Sequence, residues 1–166
     1  MTTIISGTNR KDSRTIQVAR HYSKLLQDKG HQHHLLSLVG MNVLDRNDDF
    51  KKTEEEILIP AERFIFIMPE YNGSFPGVLK TLLDNSDIKK CWWHKKALLV
   101  GVADGRGGNL RGIEHMTNIL HYLKMNVHYN KLPLSKINEE MTEQGIFIHQ
   151  STINAIAEQV HTFIDY

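Results

Sequence analysis

The segment Phe64-Ile65-Phe66-Ile67-Met68-Pro69-Glu70-Tyr71-Asn72-Gly73-Ser74-Phe75-Pro76-Gly77-Val78-Leu79-Lys80-Thr81-Leu82-Leu83-Asp84 decides the fold. Its opening apolar run reads as a buried strand, Arg63 to Met68, since strands covered on both faces are continuously apolar. Turn formers follow, and Asn72-Gly73 suits a tight turn with positive φ. Pro76 then stands near the start of a helical pattern, Gly77 to Asp87, where a missing N–H costs nothing. A loop between a strand and the next helix lies at the strand's carboxyl end, where open α/β sheets bind ligands. This loop offers backbone N–H groups, an aromatic ring and an apolar wedge, which together suit a flat heteroaromatic ligand.

The same alternation runs outward in both directions. Thr2 to Ser6, Gln32 to Val39, Lys96 to Ala103 and Asn126 to Leu132 read as further strands. Helical spacing marks Ser13 to Lys29, with Gly30 as a C-cap, then Gly108 to Leu123 and Ser151 to Ile164. Gly40 to Lys52 is polar and reads as a loop with room for a short helical turn, and Thr53 to Pro60 as a short helix with an acidic start. Five strands separated by helices imply right-handed crossovers and a mainly parallel sheet. The expected architecture is one α/β domain over residues 1–166, a doubly wound three-layer sandwich. Residues 135–150 fit the scheme least and read as a surface excursion.

Bulk properties narrow the function classes. With 166 residues and a net charge of +1, the chain can bury a full core and carries no single-sign field to recruit nucleic acid or anionic lipid. No apolar run is long enough for a transmembrane helix. Ser6 and Gly7 interrupt the first strand, against a secretory signal. Cys91 is the only cysteine, which excludes an internal disulfide and fits a reducing cytoplasm. It reads as a small buried residue rather than a nucleophile, because spacing identifies no His and acid partners.

Three loops would share one rim of such a sheet. Thr8-Asn9-Arg10-Lys11-Asp12-Ser13-Arg14-Thr15 combines hydroxyls, an amide and cationic charge at a helix N-terminus, a setting that suits a phosphate monoester. It is neither a Walker loop nor a dinucleotide fingerprint. Pro69 to Ser74 is the aromatic turn. Asp104-Gly105-Arg106-Gly107-Gly108 opens a third loop whose glycines let backbone approach a ligand closely. Phosphate site, aromatic turn and glycine-rich strip together describe a mononucleotide with a long planar head.

At these residues the chain resembles the NADPH-dependent FMN reductase family, flavodoxin-like proteins that include quinone, azo and chromate reductases. Gly7-Thr8-Asn9-Arg10 with Ser13 matches the family's phosphate loop, G-S-x-R-x-x-S, with threonine for the usual serine. Pro69 to Gly77 with Leu79-Lys80 and Asp84 is close to P-x-Y-N-x-S-x-P-x-x-L-K-x-x-x-D, although Asn85-Ser86 replaces the aromatic that commonly follows. The resemblance spans roughly residues 2 to 130 and leaves 135–166 unmatched.

The resemblance implies a flavodoxin-like five-stranded parallel sheet of order 2-1-3-4-5, with FMN as cofactor and NADPH or NADH as reductant. The cofactor site it implies comprises Thr8, Asn9, Arg10, Ser13, Arg14 and Thr15 at the phosphate and Pro69, Glu70, Tyr71, Asn72, Gly73 and Ser74 beside the ring. Asp104, Gly105, Gly107 and Gly108 would lie at its pyrimidine edge. It further implies hydride transfer to a small-molecule acceptor such as a quinone, flavin, azo compound or metal oxyanion, no obligatory protein acid or base, and a homodimer or homotetramer. The alternative is a flavodoxin-type electron carrier, against which stand the near-neutral charge and the missing T-G-x-T-G-x-T loop. A receiver domain lacks its acidic cluster here, and a flavin-free scaffold is a further alternative. Ten histidines raise a metal reading, but spacing places no acidic or cysteine partner beside them. The Trp92-Trp93 pair reads as core or interface packing.

Overall fold

The computed structural model describes residues 1–166. Strands β1 (Thr2–Ser6), β2 (His33–Ser37), β3 (Arg63–Pro69) and β4 (Lys96–Val102) form a wholly parallel sheet in the order β2-β1-β3-β4. The fifth place is shared by β5 (Asn126–Val127) and β6 (Leu132–Leu134), both parallel to β4. The expected order is therefore present, with its last strand divided. Ala97 is level with Val127 and Val100 with Leu132, so residues 128–131 have more length than the ladder takes up and leave it. The interruption is internally satisfied. His128 is buried with its ring edge-on to Phe163, and Gln159 donates its amide to the carbonyls of Leu99 and Asn130, at 3.3 and 2.7 Å.

The period-two alternation of the central strands feeds two cores. Ile4, Ile65, Ile67, Leu98 and Val100 point to one face, under α1 (Arg14–Asp28) and α7 (Gln150–Asp165). Ile5, Phe64, Phe66, Ala97 and Leu99 point to the other, under α2 (Asp48–Thr53), α3 (Gly77–Asn85) and α5 (Leu110–Tyr122). The short α4 (Ile88–Cys91) leads into Trp92, which is buried against Phe64 with its indole N–H on Ser86 Oγ at 2.8 Å. Trp93 is half-buried, with Lys124 Nζ 3.7 Å from its ring centroid. No helix is long and apolar enough to cross a membrane.

Local chemistry sets the helix ends. Ser13 caps α1 by accepting the Ile16 N–H. Gly30, at φ +68°, ends it with bonds from Gly30 N–H to Gln27 O and from His31 N–H to Leu26 O, the pair that satisfies the last carbonyls of a helix. Asn47 caps the six-residue α2, which supplies the short helical turn within the Gly40 to Lys52 segment and runs one residue past it. The helix predicted after it is a π-helical turn, Glu54–Leu58, whose first residue is buried. Residues 135–150 form a compact excursion: α6 (Ile137–Glu140), then a return held by the Met141–Phe147 bridge.

Candidate functional site

The first rim loop leaves β1 pressed against its neighbours. The Gly7 N–H bonds Ile67 O at 2.8 Å, and a Cβ there would meet a Leu79 methyl at 2.8 Å, so only glycine fits without a shift. Thr8 is buried, and its Oγ1 accepts the Arg10 N–H at 3.3 Å. The N–H groups of Ser13, Arg14 and Thr15 have no acceptor within the protein, as the first turn of a helix requires. Hydroxyl-bearing residues, free N–H groups and the positive end of α1 thus gather at the start of one helix, a setting that favours an anion.

The second loop folds as the Asn72-Gly73 pair predicts. Tyr71 and Ser74 exchange backbone bonds of 2.8 and 3.1 Å around Asn72 (φ 51°) and Gly73 (φ 77°). The turn holds Tyr71 over the first loop. Its hydroxyl is 2.8 Å from Thr8 Oγ1, and the Arg10 guanidinium lies 4.4 Å from its ring centroid. Ser74 Oγ meets His115 Nδ1 at 2.9 Å, which joins the turn to α5.

The third loop is anchored by a residue that motif reading passed over. Asn109 is fully buried at φ 63°; its amide donates to the carbonyls of Met68 and Pro69 at 3.0 Å each, while its Oδ1 accepts the Gly112 N–H at 3.1 Å. A Cβ on Gly112 would sit 2.2 Å from that oxygen, so this glycine makes room for the Asn109 side chain. The close approach that Gly108 permits is to Pro133, 2.7 Å from where its Cβ would stand. Gly105 and Gly107 are exposed, with open space beside them.

The three loops enclose a cavity of about 270 Å³. Thr8, Arg10, Lys11, Ser13, Arg14 and Thr15 line it from the first loop, and Pro69, Glu70 and Tyr71 from the second. Val102, Ala103 and Asp104 line it from the third, with Ile137 from the excursion. Asn9, Asn72, Gly73, Ser74, Gly105, Gly107 and Gly108 lie outside this lining, on the loops that shape it. Arg14 borders the cavity, with two of its three guanidinium nitrogens engaged elsewhere: Nε donates to Asn138 Oδ1 at 2.8 Å, and Nη1 to Gln17 Oε1 at 3.0 Å and Thr142 O at 2.6 Å. Ile137 and Asn138 lacked any motif signal, because their link to the rim is purely tertiary.

A parallel sheet of order 2-1-3-4-5 between two helical layers, with a cavity at the carboxyl ends of its strands, defines a flavodoxin-like protein. The sequence profile of the NADPH-dependent FMN reductases matches residues 2–139, and the chain belongs to that family. It is 34% identical over 111 residues to an NAD(P)H-dependent FMN reductase of Schizosaccharomyces pombe, a match covering 67% of this chain and 52% of the relative. The chain thus spans about half the length of that relative. A 2-hydroxy-1,4-benzoquinone reductase of Burkholderia sp is 26% identical, with coverage of 72% of this chain and 69% of the relative. Among solved structures, the flavoenzyme FerB, an NAD(P)H:(acceptor) oxidoreductase from Paracoccus denitrificans, superposes with a TM-score of 0.80. Its identity is 22% and the coverage 99% of this chain and 95% of that one, a likeness of fold.

Proposed function

We propose that this chain is an FMN-dependent NAD(P)H oxidoreductase that passes reducing equivalents from NADPH or NADH to a small-molecule acceptor. The observation that carries the reading is the convergence of the Thr8, Ser13 and Thr15 hydroxyls, the acceptor-free N–H groups of residues 13–15 and the Arg10 charge on one cavity. An FMN phosphate fits that donor set, since a dianion accepts several N–H and O–H bonds at a helix N-terminus. FMN, when bound, supplies the hydride-accepting ring.

The residues of the chain bind and orient. Thr8, Arg10, Ser13 and Thr15 hold the phosphate, with Asn9 and Lys11 at the mouth. Pro69 to Ser74 runs along the ring, with Tyr71 presenting its aromatic face and the Asn72-Gly73 turn setting the angle. Asp104, Gly105 and Gly107 border the opposite edge, and Gly108 sets the path of that loop by seating on Pro133. No side chain is assigned as catalytic, because hydride transfer between stacked rings rests on positioning. The acceptor classes are those named above, a quinone, a free flavin, an azo compound or a metal oxyanion, and the benzoquinone reductase relative favours the first. The same reading takes the protein to be cytoplasmic and a homodimer or homotetramer.

Purified protein should carry, or take up, FMN with its visible flavin absorption. Anaerobic addition of NADPH or NADH should bleach that absorption, and an acceptor should restore it. A protein that neither contains nor binds FMN overturns the proposal. Bound flavin that stays oxidised with both nicotinamides favours an electron carrier instead.

A further inference from the structure

We propose that residues 137–147 are a strap that joins the two ends of the cofactor cavity, with Arg14 as a positioning residue for that strap rather than a phosphate ligand; this rests on the FMN reading above. The strap touches both walls. On the phosphate side, Arg14 donates to Asn138 Oδ1 and Thr142 O. Gly145, at φ 81°, lies against Gln17, its missing Cβ only 3.0 Å from that side chain. Phe147 is buried, with its ring edge-on to His21 at 4.9 Å. On the opposite side, the strap hangs from the third rim loop. Ile137 N–H bonds Ala103 O at 3.1 Å, Lys136 N–H bonds Gly105 O at 3.2 Å, and the Asn138 amide donates to Asp104 Oδ1 at 2.6 Å.

Asn138 is therefore a relay. Its oxygen takes a proton donor from the first loop, and its nitrogen gives one to the third. Arg14, Asp104 and Ile137 all line the cavity, so the chain Arg14–Asn138–Asp104 sets the spacing between its walls. The family profile stops at residue 139, so the contacts of Thr142, Gly145 and Phe147 lie beyond the shared pattern. Nε and Nη1 of Arg14 are committed to Asn138, Gln17 and Thr142, which fixes the guanidinium toward the strap and leaves only Nη2 uncommitted. The orphan N–H groups and Arg10 remain for the phosphate.

The amide of Asn138 and the carboxylate of Asp104 can be exchanged, which gives a test with its own rescue. Asn138→Asp keeps the Arg14 bond but sets two carboxylates against each other. FMN affinity, read by quenching of flavin fluorescence, should fall about tenfold, and tryptic cleavage of the cofactor-free protein after Lys136 should accelerate by a similar factor. Adding Asp104→Asn restores a donor opposite the new carboxylate. The double variant should then bind FMN at least about fivefold better than the two single changes multiplied together predict. Wild-type affinity in Asn138→Asp, or no recovery in the double variant, overturns the strap. Faster cleavage with unchanged FMN affinity also overturns it, because the strap would then be uncoupled from the cavity. If the wild-type protein binds no FMN, the functional reading fails, and the strap stands or falls on the same cleavage rates and their rescue.

Discussion

The Tyr71 hydroxyl lies 2.8 Å from Thr8 Oγ1, so the aromatic turn and the phosphate loop close on one another with residues 63 positions apart. The Arg10 guanidinium stacks on the same ring. The ring and the hydroxyl can be separated by mutation. Tyr71→Phe keeps the stack and loses one half-buried hydrogen bond, a cost of about 0.5–1.5 kcal/mol in urea unfolding. Its FMN affinity should stay within about threefold of wild type. Tyr71→Ala removes the ring that orients Arg10 and should weaken FMN about tenfold or more in the same titration.

Asn109 binds the end of β3 to the start of α5 while holding a left-handed backbone. Asn109→Asp places a carboxylate against the carbonyls of Met68 and Pro69, with no donor left for them. The expected loss is about 2–4 kcal/mol, seen as a fall of roughly 5–15 °C in melting temperature for a chain of this size. Asn109→Gly relieves the backbone but forfeits the bonds, and should fall between Asn109→Asp and wild type. An Asn109→Asp protein that melts as wild type does would show that this anchor is dispensable.

His21 gives an acid-side prediction. Its Nε2 is buried without a partner, and burial, then the nearby Lys24 charge, lower its pKa from the ordinary value. The folded protein therefore resists the proton that the unfolded chain takes up below about pH 6.5. The associated stability is complete above that pH and is lost as pH falls from there through the lowered folded value. His21→Phe removes the titration and keeps the edge-on contact with Phe147. Its melting temperature should decline less between pH 7.5 and pH 5 than that of wild type. Some decline should persist, because burial also lowers His31 and His128.

Local chemistry made much of this legible beforehand. The Asn72-Gly73 turn, the Ser13 cap and the Gly30 stop each depend on a few adjacent residues, so their signals lie in order along the chain. The continuous apolar runs marked the buried strands, and the sheet order followed from the resemblance that those loops carried. Asn109, Asn138 and Gln159 were illegible for the opposite reason. Their partners are 41, 34 and 60 positions away, and a polar side chain on a helix or loop has no periodicity that announces such a contact. The divided fifth strand was hidden likewise, since Val127 to Lys131 continues a plausible strand pattern until Gln159 and Phe163 fix where the chain must leave the ladder.

Glu54 is 2% exposed and makes the acid group at the head of the π-helical turn the centre of a buried polar knot. It accepts from Arg46 Nε at 2.8 Å and from the Asp87 N–H at 2.6 Å, with Cys91 Sγ at 3.8 Å. Burial first, and the Glu54 charge next, push the Cys91 thiol up to about 12. A thiol that titrates that late in the folded state but near 9.0 when released stabilises the fold below pH 9 and loses that contribution as pH rises toward 12. The native protein should therefore leave a thiol-reactive disulfide dye unreacted at pH 8 and react with it fully in denaturant. Cys91→Ala should flatten the alkaline fall in melting temperature, whatever cavity cost it carries at neutral pH. Glu54→Gln separates the two causes. It keeps an acceptor for the Asp87 N–H but strips Arg46 of its counter-ion, and should lower the melting temperature at neutral pH. It also removes the charge beside the sulfur, so the thiol pKa should move down toward its ordinary value and the alkaline loss should shrink. An alkaline profile unchanged in Glu54→Gln but flattened in Cys91→Ala would leave burial, with the smaller effect of the Asp87 charge, responsible for the shift.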